Sequence, residues 1–545
     1  MRSTRQVLQW AVLALLMLAP SMALGRDPLT DSTDVKIPTT RNEAENSIAI
    51  SPLNSKVLVV SNNARVSGSN GGNSSWISLD AGKTWLTTDS LVLNPSRADP
   101  ACAIGRSGGT NGRYFVNHLD SDDFDLGIHY KDTTGGTSWT HKEIDAGKSS
   151  GNAGTDKNHL AINNNTSGSY QNHLISAFSE ALNVSGVYAY RSENNGVSWT
   201  TTRSTIFAGG DSRDHRGVNL QWSPASPGKV YACWAMRDTQ LPNPPLNTGF
   251  RYSSNGGDIW NAPSAGHAIQ AVSGFTSLPG KTGDGWTLQA PVLAVNMDNG
   301  HLYIVFTTKV TGQSDADVFV IKSTDEGQTW GSRVRVHANV ADKDQWHPWI
   351  SWDDCTGAVV VTFLDSRDYT NNDGANTYMS VSLDGAATWN DFKVSDSGWN
   401  GDSFSGHYMG LAAKDGVAFP VWSDDREFGS GNHRPYISPV YLWGVTQSSV
   451  SHSVSNDPGL ELSVTATWST SLAALGTDYI VVKSPTGLTY TGTATPSGTG
   501  LTHTATKVCP CETGDWTYTV KSTRTGFTPR GSDPKTLPRV YYCVD

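Results

Sequence analysis

The stretch SLDAGKTW at residues 78–85 places a turn, a carboxylate, a cation and an indole within eight positions. Two near copies follow it, STDEGQTW at 323–330 and SLDGAATW at 382–389. Weaker copies read DTTGGTSW at 132–139, SENNGVSW at 192–199 and SSNGGDIW at 253–260. A local pattern that recurs with its spacing intact marks one structural unit per copy, so these copies decide the fold.

The last tryptophan of each copy sets the period of the repeat. These residues fall at 85, 139, 199, 260, 330 and 389, so the copies follow one another every 54 to 70 residues. Apolar runs separated by Gly- or Asn-containing turns predict short strands between the copies. Strand-rich units of this size predict an all-β fold, a β-propeller with about four strands in each blade.

Seven apolar hairpins accompany the six tryptophan motifs. They read SIAISPLNSKVLVV, ACAIGRSGGTNGRYFV, HLAINNNTSGSYQNHLISAF, VNLQWSPASPGKVYACW, PVLAVNMDNGHLYIVF, WISWDDCTGAVVVTF and GLAAKDGVAFPVW. We therefore predict seven blades, the last of which lacks the tryptophan motif and borrows a strand from STDVKIPTT (32–40). A borrowed strand removes the exposed edges of an open array. Six blades, with one hairpin as an insertion, is the alternative.

The residue types of the motif predict turn chemistry rather than catalysis. An Asp or Asn oxygen accepts backbone N–H bonds within a tight turn, and Gly supplies a positive φ. The Trp is suited to packing between neighbouring sheets. Asn194 and Asn255 replace the Asp in two copies, and Asn accepts the same bonds but cannot act as a general acid. We therefore predict that Asp80 and Lys83 are not a catalytic pair.

SLDAGKTW and STDEGQTW fit the pattern S-x-D-x-G-x-T-W at every position. The chain therefore resembles the Asp-box, or bacterial neuraminidase repeat, proteins of the sialidase superfamily. SLDGAATW departs from the pattern at Ala386, where the family has Gly. The resemblance covers about 350 residues. It implies a propeller whose boxes lie in outer-strand turns, away from the active site.

Charge and the N-terminal segment indicate an exported protein. The net charge of −10 comes from scattered acids, which argues against a nucleic-acid partner because phosphate binding needs a clustered basic face. Arg2 and Arg5 precede an apolar run and then small residues, which predicts a signal peptide at 1–25 and a secreted protein, extracellular or periplasmic. The run is too short for a membrane span. We expect a monomer.

The sequence changes character after the predicted propeller at 26–446. Alternating Thr- and Ser-rich strands in 447–545 predict a C-terminal β-sandwich of the Ig-like kind with an accessory role. The six cysteines are too few for a disulfide scaffold. We expect buried thiols at Cys102, Cys233 and Cys355, and one disulfide to Cys543 from either Cys509 or Cys511.

The residues that precede each predicted inner strand form the candidate site, because propellers bind ligands at one mouth of the central channel. They share polar, ionisable or aromatic side chains suited to a sugar-sized pocket: Glu43, Glu45, Asn46, Arg97, Asp99, Asp156, Lys157, His159, His215, Arg216, Gln289, Gln345, Trp346, His347, His407 and Tyr408. Among them we assign Glu45, His347 and Trp346 to substrate binding, with Trp346 stacking on a sugar ring.

The resemblance to sialidases implies further roles. HYMGLAAKDGVAFPVW resembles the family's last-blade Tyr strand and puts Tyr408 at the nucleophile position, with Asp99 or Asp122 as the acid. Three arginines would bind a substrate carboxylate by bidentate pairing, namely Arg41, Arg237 and Arg426. This sequence lacks the family's Phe-Arg-Ile-Pro motif, and His215 and Arg216 stand where the family places its Glu.

Three functions are compatible with these residues. The first is a secreted, exo-sialidase-like glycoside hydrolase acting on acidic glycans or glycoconjugates. The second is a polysaccharide lyase acting on a uronate polymer through His/Tyr acid–base chemistry, with His215, His347, His407 and Tyr408 as the candidate groups. The third is a non-catalytic glycan-binding or adhesion propeller. No cofactor is required and no catalytic metal is expected; DSDDFD (120–125) loosely resembles a calcium loop, so a structural calcium ion is possible there.

Overall fold

A computed structural model describes most of the chain as two compact units, Asp31–Leu442 and a second that contains Trp443–Asp545. The described residues are 33–66, 69–86, 92–93, 98–120, 125–133, 138–145, 155–180, 186–210, 213–224, 226–238, 246–264, 268–272, 290–309, 313–400, 406–427, 432–442, 445–455, 461–470, 478–496, 502–510, 516–522, 530–531 and 535–536. Within these residues the chain is all-β, as predicted, and no helix long and apolar enough for a membrane span is found. The predicted signal peptide lies outside the described residues.

Seven antiparallel sheets form the first unit within the described residues. The chain enters at β1 (Val35–Lys36) and then builds sheets 1 to 3 in order. Sheet 1 contains β2 (Asn42–Ile50), β3 (Leu58–Val66), β4 (Ser69–Ser78) and β5 (Val92–Leu93). Sheet 2 contains β6 (Ala98–Gly105), β7 (Arg113–Leu119), β8 (Leu126–Asp132) and β9 (Thr140–Glu143). Sheet 3 contains β10 (Thr155–Ile162), β11 (Leu174–Glu180), β12 (Gly186–Ser192) and β13 (Ser204–Phe207).

Sheets 4 to 7 repeat the same order of strands. Sheet 4 contains β14 (Arg213–Trp222), β15 (Val230–Asp238), β16 (Leu246–Ser253), β17 (Trp260–Asn261) and β18 (Ala268–Val272). Sheet 5 contains β19 (Val292–Val295), β20 (Leu302–Lys309), β21 (Ala316–Ser323) and β22 (Val334–Arg335). Sheet 6 contains β23 (Gln345–Trp352), β24 (Val359–Asp365), β25 (Gly374–Ser382), β26 (Asn390–Lys393) and β27 (Trp399–Asn400). Sheet 7 contains β28 (Gly410–Lys414), β29 (Val417–Asp424), β30 (Arg434–Ile437) and β31 (Val440–Tyr441), and β1 pairs with β30 as its outer strand.

The first two strands of each sheet are the seven apolar hairpins read from the sequence. Each pair is antiparallel and joined by a short turn, from β2–β3 in sheet 1 to β28–β29 in sheet 7. Their side chains are buried on both faces in the middle strands, as in β24 and β29. These hairpins are therefore confirmed, and four-stranded antiparallel sheets of this kind are those of a β-propeller.

Apolar clusters hold the sheets face to face. Val59 of sheet 1 packs with Ile104 of sheet 2 in one such cluster, and similar clusters join sheets 2 and 3, 3 and 4, 4 and 5, and 5 and 6. Sheet 6 contacts sheet 7 through β23 and β28. Leu58 of sheet 1 packs with Phe419 of sheet 7. Burying each such side chain contributes about 1.5–3 kcal/mol, so packing between sheets is a main source of stability.

The turn of the opening stretch has the hydrogen bonds that its residue types predict. Ser78 Oγ accepts a bond from the Gly82 N–H (2.9 Å), and Asp80 Oδ1 accepts one from the Thr84 N–H (2.9 Å). The same two bonds recur in the copies at 192–199, 253–260, 323–330 and 382–389. Asn194 and Asn255 accept the second of these bonds where Asp is replaced, which confirms that the position needs an acceptor and not an acid.

The last tryptophans of the motif copies pack between sheets. Trp85 is buried in the cluster shared by sheets 1 and 7, and Trp260 in the cluster shared by sheets 3 and 4. The turns themselves require left-handed backbone at two successive residues, for example at Glu326 (φ 61°) and Gly327 (φ 85°). Ala386 adopts φ 71° where the other copies have Gly, a conformation that costs an Ala about 1–2 kcal/mol.

The second unit is a further antiparallel arrangement of strands. Its strands are β32 (Val445–Ser455), β33 (Glu461–Thr470), β34 (Tyr479–Lys483), β35 (Thr489–Pro496), β36 (Thr502–Pro510), β37 (Thr517–Ser522), β38 (Arg530–Gly531) and β39 (Lys535–Thr536). They pair in the order β32-β33-β36-β35-β34-β37-β38, with β39 on β37. Trp468 and Trp516 lie in its apolar cluster.

Three of the four described cysteines are buried. Cys233 and Cys355 are buried, as predicted, whereas Cys102 is only partly buried. Cys509 is buried as well. Cys511 and Cys543 lie outside the described residues, so the disulfide to Cys543 stays a prediction.

Candidate functional site

Five of the inner strands carry a β-bulge at the same place, near the residue where the strand enters its sheet. One residue of each bulge has left-handed backbone, with φ between 49° and 66°: Glu45, Asp99, Lys157, Gly217 and His347. A residue other than Gly pays about 1–2 kcal/mol for this conformation. Such strain persists where the surroundings impose it and clusters at functional sites. The bulges therefore mark one end of the sheets as the candidate site.

A cavity of about 140 Å³ opens at this end, and all seven sheets contribute to its lining. A site lined by every sheet of the unit lies where the inner strands meet. The lining residues are Ser47, Pro100, Ala101, Asp156, Lys157, Asn158, His159, Arg216, Gly217, Val218, Asn219, Ala290, Pro291, Val292, His347, Pro348, Trp349, His407 and Tyr408. An apolar floor with a few convergent ionisable groups is typical of small-molecule sites.

A partly buried lysine links two carboxyl groups at the edge of this cavity. Lys157 Nζ lies 3.0 Å from Asp99 Oδ1 and 3.2 Å from Glu45 Oε1. The Lys157 backbone N–H also donates to Asp99 Oδ2 (3.0 Å). His407 Nδ1 lies 2.6 Å from Glu45 Oε1. Asp99 and Glu45 are not among the lining residues, so they act on the cavity through Lys157 and His407.

The two carboxyl groups are held in different protonation states. Burial raises the pKa of Asp99 to about 7, although the Lys157 ammonium opposes the shift. Burial acts in the same direction on Glu45, but the charges of Lys157 and His407 outweigh it and hold the Glu45 pKa well below its usual range. The same carboxylates raise the pKa of Lys157 against the effect of burial. Near pH 7 the cluster therefore contains a cation and an ionised Glu45, while Asp99 is close to the midpoint of its titration.

Tyr408 and Trp349 supply the aromatic surface of the cavity. Their ring centroids lie 6.2 Å apart, and Lys157 Nζ lies 5.7 Å from the Tyr408 ring centroid. Burial, followed by the charges of Asp99 and Glu45, raises the pKa of the Tyr408 phenol well above its usual range. Tyr408 therefore keeps its proton at neutral pH and needs a base to become a nucleophile.

Two histidines of the lining are neutral imidazoles. Burial lowers the pKa of His159 to about 4 and that of His347 to about 3. His159 Nδ1 accepts a hydrogen bond from the Leu220 backbone N–H (3.2 Å), so its proton is on Nε2. Arg216 adds a cation to the lining, and its guanidinium contacts Asp156 and Asp214 (3.3 and 3.2 Å).

The structure places two predicted residues away from the cavity lining. His215 is fully buried, and its Nδ1 accepts a hydrogen bond from Trp234 Nε1 (2.9 Å). Trp346 is only 4% exposed, so it has no rim surface on which a sugar ring could stack. Trp349, three positions later, lines the cavity instead. A β-bulge separates the two residues, with Trp346 before it and Trp349 after it.

The predicted arginine triad is not assembled by the described side chains. Arg426 lies between Asp424 and Asp34, 2.6 Å from Asp34 Oδ2, and does not line the cavity. Arg41 Nη1 lies 3.4 Å from Ser74 Oγ and is likewise outside the lining. The Arg237 side chain, the Asp122 candidate acid and most of the calcium-loop candidate at 120–125 lie outside the described part of the chain. Within that loop, the Asp120 carboxylate faces histidines instead.

Three of the residues with an assigned role meet at the cavity with residues from the wider set of positions that precede the inner strands. Tyr408, His407 and His347 line it. Lys157, His159 and Arg216 belong to the same pre-strand positions but carried no assigned role. The sequence did contain a signal for Lys157. It is a cation at a position before an inner strand, where the equivalent positions of neighbouring sheets carry acids. No sequence signal identified Trp349.

The comparisons with known proteins give no family. No family model matches the chain, and no curated protein matches it. Among solved structures, a mutant of an α-L-arabinofuranosidase from Fusarium graminearum in complex with an iminosugar inhibitor has a TM-score of 0.39 and 12% identity, covering 76% of this chain and 98% of its own. A mutant of the NanB sialidase from Streptococcus pneumoniae has a TM-score of 0.34 and 8% identity, covering 80% and 90%. A thermostable family-43 glycoside hydrolase has a TM-score of 0.30 and 11% identity, covering 71% and 95%.

Proposed function

We propose that the first unit is a closed propeller of seven blades, with its functional site on the central axis. Support comes from the packing of each sheet on the next, from the contact between sheets 1 and 7, and from the pairing of β1 with β30. We further propose that the protein is exported after removal of residues 1–25 and acts as a monomer. The second unit would be an accessory β-sandwich.

We propose a carbohydrate, and specifically an acidic glycan, as the ligand of the cavity. The Trp349 and Tyr408 rings offer apolar faces on which the C–H faces of a sugar can stack. Lys157 and Arg216 supply two cations for a substrate carboxylate. In this proposal Lys157 and Arg216 take the role that the exo-sialidase hypothesis gave to three arginines.

The reaction we propose is hydrolysis of a glycosidic bond. Its support is the arrangement of two buried carboxyl groups, those of Glu45 and Asp99, around Lys157 Nζ (3.2 and 3.0 Å), which lies 5.7 Å from the Tyr408 ring centroid. Burial raises the pKa of Asp99 to about 7, whereas the charges of Lys157 and His407 outweigh burial and lower that of Glu45. When the surroundings give two carboxyl groups different pKa values, one can act as the acid and the other as the base. Glu45 would accept the Tyr408 proton while Tyr408 Oη bonds to the anomeric carbon and the bond from that carbon to the leaving oxygen breaks. Water would then attack the anomeric carbon and break its bond to Tyr408, Glu45 would return its proton to Tyr408, and the proton lost by the water would restore Asp99. The proton held by Asp99 would reach the leaving oxygen through Lys157 or water, because Asp99 lies behind the lining.

The test is turnover of chromogenic acidic glycosides, including a 4-methylumbelliferyl sialoside. We expect release of 4-methylumbelliferone from at least one of them and a loss of roughly 100-fold or more in kcat for Tyr408→Phe. Tyr252→Phe is the matched control, because Tyr252 lies in sheet 4 away from the cavity lining. Absence of turnover across the panel would contradict hydrolysis, and glycan binding that survives Tyr408→Phe without turnover would identify a binding module.

A lyase is the second candidate, and the neutral histidines favour it. His159 and His347 line the cavity as uncharged bases, and only one carboxylate, that of Asp156, is among the lining residues. A neutral imidazole can accept the proton beside a uronate carboxylate, while Lys157 and Arg216 neutralise that carboxylate. The product would be an unsaturated uronate. Growth of ultraviolet absorbance during digestion of a uronate polymer would support the lyase, and new reducing ends without absorbance would support the hydrolase.

A further inference from the structure

A second group of ionisable side chains lies in sheet 2, apart from the cavity lining. His118, His129 and His141 come from the three successive strands β7, β8 and β9. His129 is directly opposite His141, and His118 is opposite Gly127, two residues before His129. Residues two apart on a strand share a face. The register therefore brings all three imidazoles to one face of the sheet.

The three rings present their nitrogens to a common centre. His118 Nε2 lies 2.7 Å from His129 Nδ1, and one ring nitrogen from each histidine can be chosen so that all three lie within 4.8 Å of one another. The ring centroids are 4.8, 4.8 and 5.8 Å apart. Nitrogens bound to one tetrahedral Zn²⁺ at its usual bond length lie roughly 3.4 Å apart. To hold an ion, His118 and His129 must move slightly apart, and the most distant pair of nitrogens must approach by up to about 1.4 Å.

Asp120 lies behind two of the rings. Its Oδ1 is 3.0 Å from His118 Nδ1, and its Oδ2 is 3.3 Å from His141 Nε2. A carboxylate this close favours protons on these nitrogens, which leaves the lone pairs of His118 Nε2 and His141 Nδ1 for an ion. His118 Nε2 lies within hydrogen-bond distance of His129 Nδ1 and would exchange that contact for the ion. Metal-binding histidines in proteins are oriented in this way by a carboxylate behind the ring.

The backbone leaves room for this arrangement at Gly127. A Cβ at this residue would lie 2.2 Å from Asp120 Oδ1 and 2.5 Å from His118 Cε1, so any other residue would collide with the cluster. His118 and His129 are buried, while the His141 side chain is 27% exposed. Buried polar clusters are costly unless each group is satisfied. The exposed side at His141 offers a path for an ion and for a water ligand.

We propose that His118, His129 and His141 bind one divalent transition-metal ion, with Asp120 as the acceptor behind two of the rings. Three imidazoles favour Zn²⁺, Cu²⁺ or Ni²⁺ over Ca²⁺ or Mg²⁺, which prefer oxygen ligands. Water would occupy the open coordination position on the His141 side. The ion joins three neighbouring strands of sheet 2, so it stabilises the folded first unit. This site is independent of the carbohydrate proposal.

The experiment titrates the full-length chain, purified without a histidine tag and freed of metal by a chelator, with Zn²⁺ alone. We expect one equivalent to bind and, at a saturating excess of Zn²⁺, the melting temperature to rise by roughly 3–6 °C. Substituting Co²⁺ should give the intense visible absorbance of a four-coordinate site. Failure of the unmodified chain to bind either ion would overturn the proposal.

Two variants and one control assign the binding to these residues. His141→Ala removes the exposed ligand and should abolish stoichiometric binding and the rise in melting temperature. Asp120→Asn should retain one equivalent but weaken affinity roughly 10–100-fold, because it alters only the group behind the rings. His301→Ala removes a partly exposed histidine of sheet 5 and should leave binding unchanged. Unchanged binding in folded His141→Ala, or loss of binding in His301→Ala, would overturn the assignment.

Discussion

The substitution Asp99→Asn tests the protonation state on which the proposed chemistry depends. Asp99 is only 3% exposed, and burial raises its pKa from 3.8 to about 7. Asparagine has nearly the shape of a protonated carboxyl group and can donate a hydrogen bond from the same position. The variant therefore imitates Asp99 in its protonated state at every pH.

The magnitude follows from the difference between folded and unfolded pKa. The unfolded chain loses the Asp99 proton near pH 3.8, whereas the folded chain keeps it to about pH 7. Between these values the native state binds more protons, so this group's contribution to stability falls as the pH rises and is fully lost above about pH 7. A pKa difference of this size corresponds to roughly 4 kcal/mol in the free energy of unfolding. Relative to the wild type, Asp99→Asn should gain up to that amount as the pH rises from about 4 to about 8.

Urea unfolding of the full chain, followed by tryptophan fluorescence across this pH range, measures the difference in the free energy of unfolding. Comparing variant with wild type cancels the titration of groups far from Asp99, whereas Lys157 and Glu45 interact with Asp99 and contribute to the difference. Asp325→Asn is the control, because hydrogen bonds from Thr329 lower the pKa of Asp325 in its turn. Because the folded pKa of Asp325 lies below 3.8, its titration ends near the acid limit of this range, and that variant should keep a nearly constant difference from the wild type above about pH 5. A pH-independent difference for Asp99→Asn would refute the protonated assignment.

Three further substitutions probe the site and the repeat. Lys157→Met should destabilise the protein by about 3–5 kcal/mol at neutral pH, because it leaves buried carboxyl groups without their cation; urea unfolding should show partial recovery in acid, and equal loss at both pH values would contradict this. Gly327→Ala should lower the melting temperature more than Gly82→Ala. A Cβ at Gly327 would lie 2.3 Å from the Phe250 ring, whereas the nearest atom to a Cβ at Gly82 is 3.2 Å away. Equal losses would show that the positive φ, and not the contact, sets the cost of the substitution. Arg426→Gln should lower the melting temperature and leave KM for an acidic glycoside unchanged, because Arg426 does not line the cavity. A tenfold rise in KM would instead show that Arg426 contributes to substrate binding.

Local interactions explain why much of the fold could be read from the chain. The motif turns depend on bonds between residues two to four positions apart, as in Ser78 with Gly82 and Asp80 with Thr84. The hairpins likewise pair strands that are adjacent in sequence. Replacement of Asp by Asn in two copies was enough to show that the position is a hydrogen-bond acceptor. Such features need no knowledge of distant residues.

The inner-strand positions pointed to the correct end of the sheets, but not to the correct side chains in every sheet. His215 and Trp346 were expected in the site and are buried beside it, each before the β-bulge of its strand. A bulge depends on the pairing of two strands and leaves no simple pattern in one of them. Arg426 shared a strand-end position with other arginines, and only its contacts with Asp34 and Asp424 reveal a structural role.

The amino-acid sequence by itself determined the repeating unit, the turns and the hairpins, since these arise from contacts within a few residues. Tertiary structure decided which ionisable groups meet. Lys157 is 112 residues from Glu45, and His407 is 362 residues from it, yet all three share one buried cluster. The three histidines of sheet 2 likewise meet only through strand register. The protonation states at both places depend on burial and neighbouring charge, which exist only once the sheets have packed together.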